Sequence, residues 1–248
     1  MVFEKIEHTG PGDRIMVIVA HPDDAEFMCA GSAAKWAREG KEIIYLLGTS
    51  GDKGTSDRTI RPADLAVIRE AEQQDACKTI GGSHVEFLRH EDGVLVSDIQ
   101  LRKEIVRVIR RFKPSAVITQ DPTSRWMSGR YINHPDHRAM GDATMDAVFP
   151  SARDYHVFPE LVMNEGLEPH IVEHLYLGAH GGPYDVAIDI TSSIDVKIAA
   201  LKCHKSQMPD SPSVNVDDYI RSMAKDTTGE TGYEYAETFR YFNLAPLA

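Results

Sequence analysis

Residues 14–24, RIMVIVAHPDD, decide the fold of this protein. The first seven of them, 14–20, form a continuous apolar run, which is typical of a strand buried on both faces of a parallel sheet. Helical spacing of apolar residues over 26–39, ended by Gly40, predicts a helix, and the apolar run over 42–48 predicts a second strand. This β-α-β beginning indicates an α/β protein.

The same alternation continues to residue 148. The pattern predicts helices over 62–80, 101–113 and 135–148, strands over 84–88 and 116–119, and a long loop over 121–133. We therefore expect a doubly wound parallel sheet with right-handed crossovers. Beyond residue 148 the pattern predicts strands over 171–177 and 185–190, a helix over 193–205, and a tail over 213–248 that is helical and then irregular.

The chain has the length of one large α/β domain, at 248 residues. Because no linker-like tract or internal repeat interrupts it, we expect a single domain over residues 1–248. Residues 14–148 would form its core, and residues 149–248 would complete the sheet and the site.

Composition and charge exclude several classes of protein. With 42% hydrophobic and 26% charged residues, the chain is neither disordered nor collagenous. Its net charge of −11 repels nucleic acids and anionic membranes, so we expect neither as a partner. Three cysteines without a C-x-x-C pair, no apolar signal segment and no run of ~18 apolar residues predict a cytoplasmic protein. The basic helical face over 101–113 leaves a homo-oligomer open as an alternative.

Residues beyond the carboxyl ends of the strands are the first candidates for a site, because ligands of open parallel sheets bind there. The first strand is followed by neither G-x-G-x-x-G nor a Walker A loop. Residues 48–52, GTSGD, fail the G-x-S-x-G pattern at their last position. Nucleotide binding and serine hydrolysis therefore lack their usual signatures.

The tripeptide His-Pro-Asp occurs twice, at residues 21–23 and 134–136, and both copies fall on the same predicted rim of the sheet. Each copy continues into an i, i+3 pair, His21 with Asp24 and His134 with His137. Three imidazoles and two carboxylates suit Zn²⁺ or a similar divalent metal. A catalytic zinc needs three protein ligands, which would leave two groups for acid–base chemistry. The alternative is that each tripeptide is only a turn at the start of a helix.

These motifs resemble the LmbE-like, or PIG-L, family of zinc-dependent de-N-acetylases. The resemblance rests on AHPDDAEF at 20–27 and NHPDHR at 133–138. Supporting matches are Arg69, Glu72, Ala76, Ile80 and Gly81 in one pattern, Asp92-Gly93, and His204 with Ser206 and Gln207. It covers residues 14–207.

The resemblance implies a Rossmann-like three-layer sandwich with a mostly parallel sheet, and removal of an N-acetyl group from an amino sugar. It implies one Zn²⁺ per chain, with Fe²⁺ as an alternative, and zinc-bound water that attacks the amide carbonyl. It implies that His21, Asp24 and His137 are the metal ligands and that Asp23 is the general base. His134 would stabilise the oxyanion or protonate the amine, and Asp136 would orient His134.

Elementary chemistry agrees with these roles. Zinc polarises an amide carbonyl and lowers the pKa of water. A carboxylate next in sequence to a ligand carboxylate can reach that water without joining the metal. An acidic neighbour such as Asp136 would raise the pKa of His134 and keep it protonated.

Four further residues are candidates for contact with the substrate, which would be a small N-acetylated sugar. These are Arg69, Asp92, Asn133 and Ser50, and each has a structural alternative as an ion-pair or turn residue. The loop over 125–131 carries Trp126, which could stack on a sugar ring. His180 and His204 are assigned to packing or capping. Two other functions stay open: a metal-dependent amidase acting on a non-sugar amide, and a metal- or sugar-binding member without catalysis.

Overall fold

The computed structural model describes residues 13–127, 129, 131–178, 184–208, 215–226 and 231–246. The strands are β1 (Arg14–Val19), β2 (Glu42–Thr49), β3 (His84–His90), β4 (Ala116–Gln120), β5 (Trp126–Met127), β6 (Tyr131–Ile132), β7 (His174–Gly178), β8 (Val186–Asp189) and β9 (Ala236–Asn243). The α-helices are α1 (Asp24–Met28), α2 (Ala30–Arg38), α3 (Pro62–Thr79), α4 (Ile99–Phe112), α5 (Pro135–Asp146), α6 (Pro159–Glu165), α7 (Ile194–Leu201) and α8 (Val216–Asp226). A π-helical turn covers Ala147–Ser151 and a 3₁₀ turn covers Lys205–Gln207.

A seven-stranded sheet in the order β3-β2-β1-β4-β7-β9-β8 forms the centre of the fold. Its first five strands are parallel, and β9 is antiparallel to both of its neighbours. The predicted α/β class and mostly parallel sheet are confirmed. Because β1 pairs with β4 as well as with β2, the chain reverses its direction of travel along the sheet at β1, and such a point commonly holds a ligand.

Apolar side chains of β1 alternate between the two faces of the sheet. Ile15 and Val17 pack with α1, α2, α3, α7 and α8, whereas Met16 and Ile18 pack with α4, α5 and α6. Helices therefore cover both faces, which confirms the three-layer sandwich. The core also explains why the first run of sequence is continuously apolar, since both of its faces are buried.

Some predicted elements differ from the structure. The stretch 26–39 forms two helices that meet at Cys29, and the loop 121–133 contains the β5–β6 hairpin. The tail was predicted to end irregularly, but Ala236–Asn243 is a strand inside the sheet. Charged residues interrupt its apolar pattern, and its partners lie far away in sequence, so periodicity alone does not reveal it. None of the helices in the described part of the chain combines the length and apolar content needed to cross a bilayer.

Candidate metal centre

The first His-Pro-Asp copy forms the tight connection between β1 and α1. Asp23 adopts the left-handed conformation, with φ of 87°, and α1 begins at Asp24. An aspartate tolerates this conformation better than most residues. At the N-cap position its carboxylate would usually accept a hydrogen bond from the helix, but here it makes none. The turn therefore leaves the carboxylate of Asp23 available for other contacts.

The second copy is an ordinary start of a helix. His134 is the N-cap of α5, and its Nδ1 accepts a hydrogen bond from the Asp136 N–H at 3.3 Å. Pro135 takes the first helical position, where the absence of an N–H costs nothing. This geometry places His134, Asp136 and His137 within the first turn, facing the end of β1.

The predicted ligands meet at this rim of the sheet. The ring centroids of His21 and His137 lie 5.2 Å apart. The carboxylate of Asp24 spans them, with Oδ2 3.3 Å from His21 Nδ1 and Oδ1 3.1 Å from His137 Nε2. Ligating nitrogens of His21, His134 and His137 also lie within 4.8 Å of one another. Both motifs thus contribute side chains to one cluster.

Outer contacts fix the orientation of both imidazoles. His137 Nδ1 lies 2.9 Å from Asn133 Oδ1, which can only accept, so Nε2 is the nitrogen left to hold a metal. His21 Nε2 lies 3.1 Å from Asp92 Oδ1 and 3.2 Å from Asp136 Oδ2, which leaves Nδ1 beside Asp24. Metal-binding histidines commonly give their second nitrogen to a carboxylate or carbonyl in this way.

The charge of the cluster favours a cation. Burial opposes protonation of His21, yet hydrogen bonds to Asp136, Asp24 and Asp92 raise its pKa to about 12. Contacts with His137 and His21 hold the pKa of Asp24 well below its ordinary value, although burial acts the other way. A pocket of imidazole and carboxylate donors with this surplus of negative charge fits a divalent metal.

A second group of potential ligands shares His21 and adds Asp92 and Asp136. The carboxylate of Asp136 is fully buried and accepts hydrogen bonds from the backbone N–H groups of Gly93 at 2.7 Å and Leu95 at 3.1 Å. Both oxygens of Asp136 accept backbone hydrogen bonds, whereas in Asp24 the donors other than His137 fall on Oδ2, so His21, Asp24 and His137 suit an ion better.

Asp23 lies directly beside the cluster. Its Oδ2 is 3.2 Å from Nη2 of Arg69, which is itself buried. Burial and the neighbouring charge of Asp24 raise the pKa of Asp23 to about 7, against the lowering effect of Arg69. A carboxylate of this kind, close to the ligands but not among them, has the placement of a general base.

The expected pairing of Asp136 with His134 needs correction. The carboxylate of Asp136 is 4.0 Å from His134 Nδ1, too far for a hydrogen bond, and it binds His21 instead. The expected rise in the pKa of His134 is also wrong. Burial and the neighbouring charge of His21 lower that pKa, and they outweigh the opposing effect of Asp136. Asp136 orients His134 through its backbone N–H only.

Comparison with known proteins identifies the family. The profile of the PIG-L family, described as GlcNAc-PI de-N-acetylase, matches residues 16–148. A diacetylchitobiose deacetylase from Thermococcus kodakarensis is 31% identical over 229 residues, which cover 92% of this chain and 82% of that protein. The chain belongs to the PIG-L family.

Two other similar proteins agree with the PIG-L assignment. A probable N-acetyl-α-D-glucosaminyl L-malate deacetylase 2 from Bacillus cereus is 25% identical over 241 residues, covering 93% of this chain and 94% of that protein. The crystal structure of N,N'-diacetylchitobiose deacetylase from Pyrococcus horikoshii superimposes with a TM-score of 0.84 at 26% identity. That match covers 93% of this chain and 84% of the other. These PIG-L relatives are deacetylases of N-acetylated sugars.

The four residues expected to contact substrate each make hydrogen bonds within the protein, although Nε of Arg69 has no hydrogen-bond partner. Arg69 donates to Pro22 O at 2.6 Å and Gly51 O at 3.0 Å, in addition to its contact with Asp23. It therefore supports the first His-Pro-Asp turn. Its contact with a substrate stays a prediction.

The other three expected substrate contacts are engaged in the same way. Both oxygens of Asp92 are used, one beside His21 and one accepting from the Lys53 N–H at 3.1 Å. Ser50 Oγ donates to Glu70 at 2.6 Å. Asn133 binds His137 and also donates from Nδ2 to Ser124 O at 2.7 Å. These three side chains therefore hold the site together through hydrogen bonds within the protein.

Three buried polar residues near the centre were missed by the sequence analysis. They are Glu26, Gln73 and Gln120. Glu26 lies in α1 and contacts Gln73, while Gln73 also contacts Asp23 and Gln120 contacts Asp24. A signal existed for Gln73, since it lies one helical turn after Arg69 on the same face of α3. Gln120 is the last residue of a strand that begins with three apolar residues, so its side chain is expected to be buried rather than solvated.

His204 is buried, with Nε2 3.0 Å from Glu26, which agrees with a packing role. His180 lies outside the described residues.

Two surface features flank the cluster. Trp126 and Ile132 are cross-strand partners in the β5–β6 hairpin, just before Asn133, and they are 70% and 82% exposed. A cleft of about 700 Å³ lies on the other side, lined by Ser50 and Asp52 after β2 and by residues of α3 and the end of β3.

Proposed function

We propose that this protein is a metal-dependent hydrolase that removes the N-acetyl group from an amino sugar or its glycoside, of the N-acetylglucosamine type. One Zn²⁺ per chain would be held by His21, Asp24 and His137. The observation that carries the proposal is the carboxylate of Asp24, which lies between the two imidazoles at 3.1 and 3.3 Å. The names of the PIG-L relatives support the choice of substrate class.

When bound, the metal supplies Lewis-acid polarisation of the amide carbonyl and makes water a stronger acid. Asp23 would take the proton from the attacking water as general base and then give it to the nitrogen of the amine as the C–N bond breaks, because its carboxylate lies next to the proposed ligands and is held by Arg69. Its side chain is 17% exposed, so it is partly shielded from solvent and still within reach of a water molecule. The two aspartates of the first motif thus have separate tasks, base for Asp23 and ligand for Asp24.

His134 faces the substrate side of the cluster. Because Nδ1 accepts from the Asp136 N–H, the ring proton of neutral His134 lies on Nε2. Nε2 can therefore donate a hydrogen bond to the carbonyl oxygen as negative charge develops there. This supports the stabilising role of His134 rather than protonation of the leaving amine. Asp136 takes part by fixing the rings of His21 and His134.

The C-terminal part of the chain supports the same unit. Strands β7, β8 and β9 extend the sheet begun by β1 to β4, and α7 packs on α2 and α3. We propose that residues 1–248 form one domain, with a small N-acetylated sugar as substrate.

An amine-release screen tests this function. Zinc-loaded and chelated protein are incubated with N-acetylglucosamine, diacetylchitobiose and other N-acetylated glycosides, and free amine and acetate are measured. We expect release from at least one sugar with zinc and none after chelation. Release only from non-sugar amides would favour the alternative amidase, and metal binding without any release would favour a non-catalytic member of the family.

A further inference from the structure

Two buried glutamines contact the segment that runs from the end of β1 into α1, one from each side. From β4, Gln120 Oε1 accepts from the Ala20 N–H at 3.1 Å, and its Nε2 donates to Asp24 Oδ2 at 3.0 Å. The first contact holds the backbone at the end of β1, and the second holds the carboxylate of Asp24. Gln120 therefore supports the ligand Asp24.

The glutamine on the other side, Gln73, acts on the residue before it. From α3, its Oε1 accepts from the Asp23 N–H at 3.0 Å, and its Nε2 donates to the carboxylate of Glu26 at 3.1 and 3.2 Å. The orientation of this amide is fixed, because the Glu26 oxygens require a donor and the Asp23 N–H requires an acceptor. His204 holds Glu26 in turn at 3.0 Å, and all three partners behind Asp23 are completely buried.

The contact matters because of the backbone of Asp23. A non-glycine residue in the left-handed region is costly and persists only where its surroundings hold it. The carbonyl of Asp23 accepts from the N–H groups of Glu26 and Phe27, but its side chain does not cap α1. From outside the turn, Gln73 holds the backbone N–H and Arg69 holds the carboxylate. If the backbone relaxed, the carboxylate would turn away from the ligands.

We propose that Gln73 is a positioning residue of the reaction: through the Asp23 N–H it keeps this turn left-handed and so aims the Asp23 carboxylate at the metal site. The inference rests on the proposed function, in which Asp23 is the base. In this assignment Gln73 positions the general base Asp23, whereas Gln120 supports the metal ligand Asp24. The roles differ although both residues are buried glutamines that accept one hydrogen bond and donate to one carboxylate.

The variant Gln73→Met tests this, because it removes both hydrogen bonds at similar volume. We expect kcat to fall roughly 3- to 10-fold, the effect of one buried hydrogen bond on a transition state. The KM and the bound zinc, measured by elemental analysis, should stay unchanged. In amide hydrogen exchange, the Asp23 N–H should lose protection while the Ala20 N–H, held by Gln120, keeps it. Gln74→Met, on the exposed neighbour, is the matched control and should change nothing.

If Gln73→Met does not fold, a second pair of variants tests the role by exchanging glutamine and glutamate between positions 73 and 26. Gln73→Glu alone sets two carboxylates against each other and should lower kcat, whereas adding Glu26→Gln restores a donor between them and should recover it. An unchanged kcat in folded Gln73→Met, or no recovery in the double variant, would overturn the role of Gln73. An inactive wild-type enzyme would instead contradict the proposed function.

Discussion

The two His-Pro-Asp copies have the same three residues but different surroundings. In the first, the side chain of His21 is 9% exposed, Asp23 is left-handed, and the helix begins only at Asp24. In the second, the side chain of His134 is 39% exposed and the helix begins directly at Pro135. The histidine of the first copy, the proposed ligand, contacts Asp24, Asp92 and Asp136, whereas that of the second is the more exposed and is proposed to meet the substrate.

Among the aspartates of the two copies, the more buried one belongs to the second copy. Asp136 is fully buried and binds backbone N–H groups and His21, whereas Asp23 lies at the edge of the cluster beside Arg69. The same tripeptide thus places its aspartate at the edge of the cluster in one backbone conformation, where we propose a base, and in a buried supporting position in the other. The comparison teaches that the backbone around a motif, rather than the motif, decides which member does chemistry.

The histidines provide the largest expected difference. His21→Ala removes a ligand, so we expect loss of bound zinc in elemental analysis and activity at background level. His134→Ala should keep its zinc and lose activity by about 10²–10⁴-fold, as expected when one hydrogen-bond or proton-transfer group is removed. Equal zinc loss in both variants would show that the copies play the same role.

Within the second copy, His137→Ala should resemble His21→Ala, because its Nε2 faces Asp24. Full retention of zinc by this variant would remove His137 from the ligand set.

The aspartates sharpen the contrast. Asp23→Asn should keep its zinc and its stability and lower kcat by about 10²–10⁴-fold, because an amide cannot act as base. Asp136→Asn should destabilise the fold by about 1–3 kcal/mol, since it weakens the acceptor for two buried N–H groups. For a chain of this length each kcal/mol lowers Tm by about 2–4 °C. Thermal unfolding and kcat measured on both variants check the pair, and a normal kcat in Asp23→Asn would exclude its role as base.

Gln120→Met should act on the metal rather than on the base. Loss of the hydrogen bond to Asp24 is expected to weaken zinc affinity by about 10–100-fold, as for other outer contacts of metal ligands. Competition with a chelator measures the affinity. A zinc affinity equal to that of the wild type would show that Asp24 needs no support from β4.

Trp126→Ala should have the smallest effect. Its ring is exposed next to the second copy, so it can stack on a sugar beyond the acetyl group. We expect KM for diacetylchitobiose to rise about 2- to 10-fold, with unchanged Tm. Met163→Ala, an equally exposed residue on α6, is the control. No change in KM for any sugar would indicate that the hairpin does not contact the substrate.

Much of the fold followed from local sequence. Strand β1, with both faces buried, and helix α3, begun by Pro62, both appear where apolar periodicity and turn residues predicted them. The failures have two causes. Strand β9 is specified by pairing with β7 and β8, which lie far away in the sequence. The strands of the β5–β6 hairpin have two residues each, too few for a periodic signal.

The sequence by itself determined which chemical groups reach the rim of the sheet, because the carboxyl ends of parallel strands share one edge and both His-Pro-Asp copies come after such an end. Only the tertiary structure decided their tasks. It turned Asp136 toward His21, committed Arg69 and Asp92 to protein contacts, and brought Gln73 behind Asp23. Those choices depend on hydrogen bonds between residues far apart in the chain, whose geometry exists only once the helices have packed on the sheet.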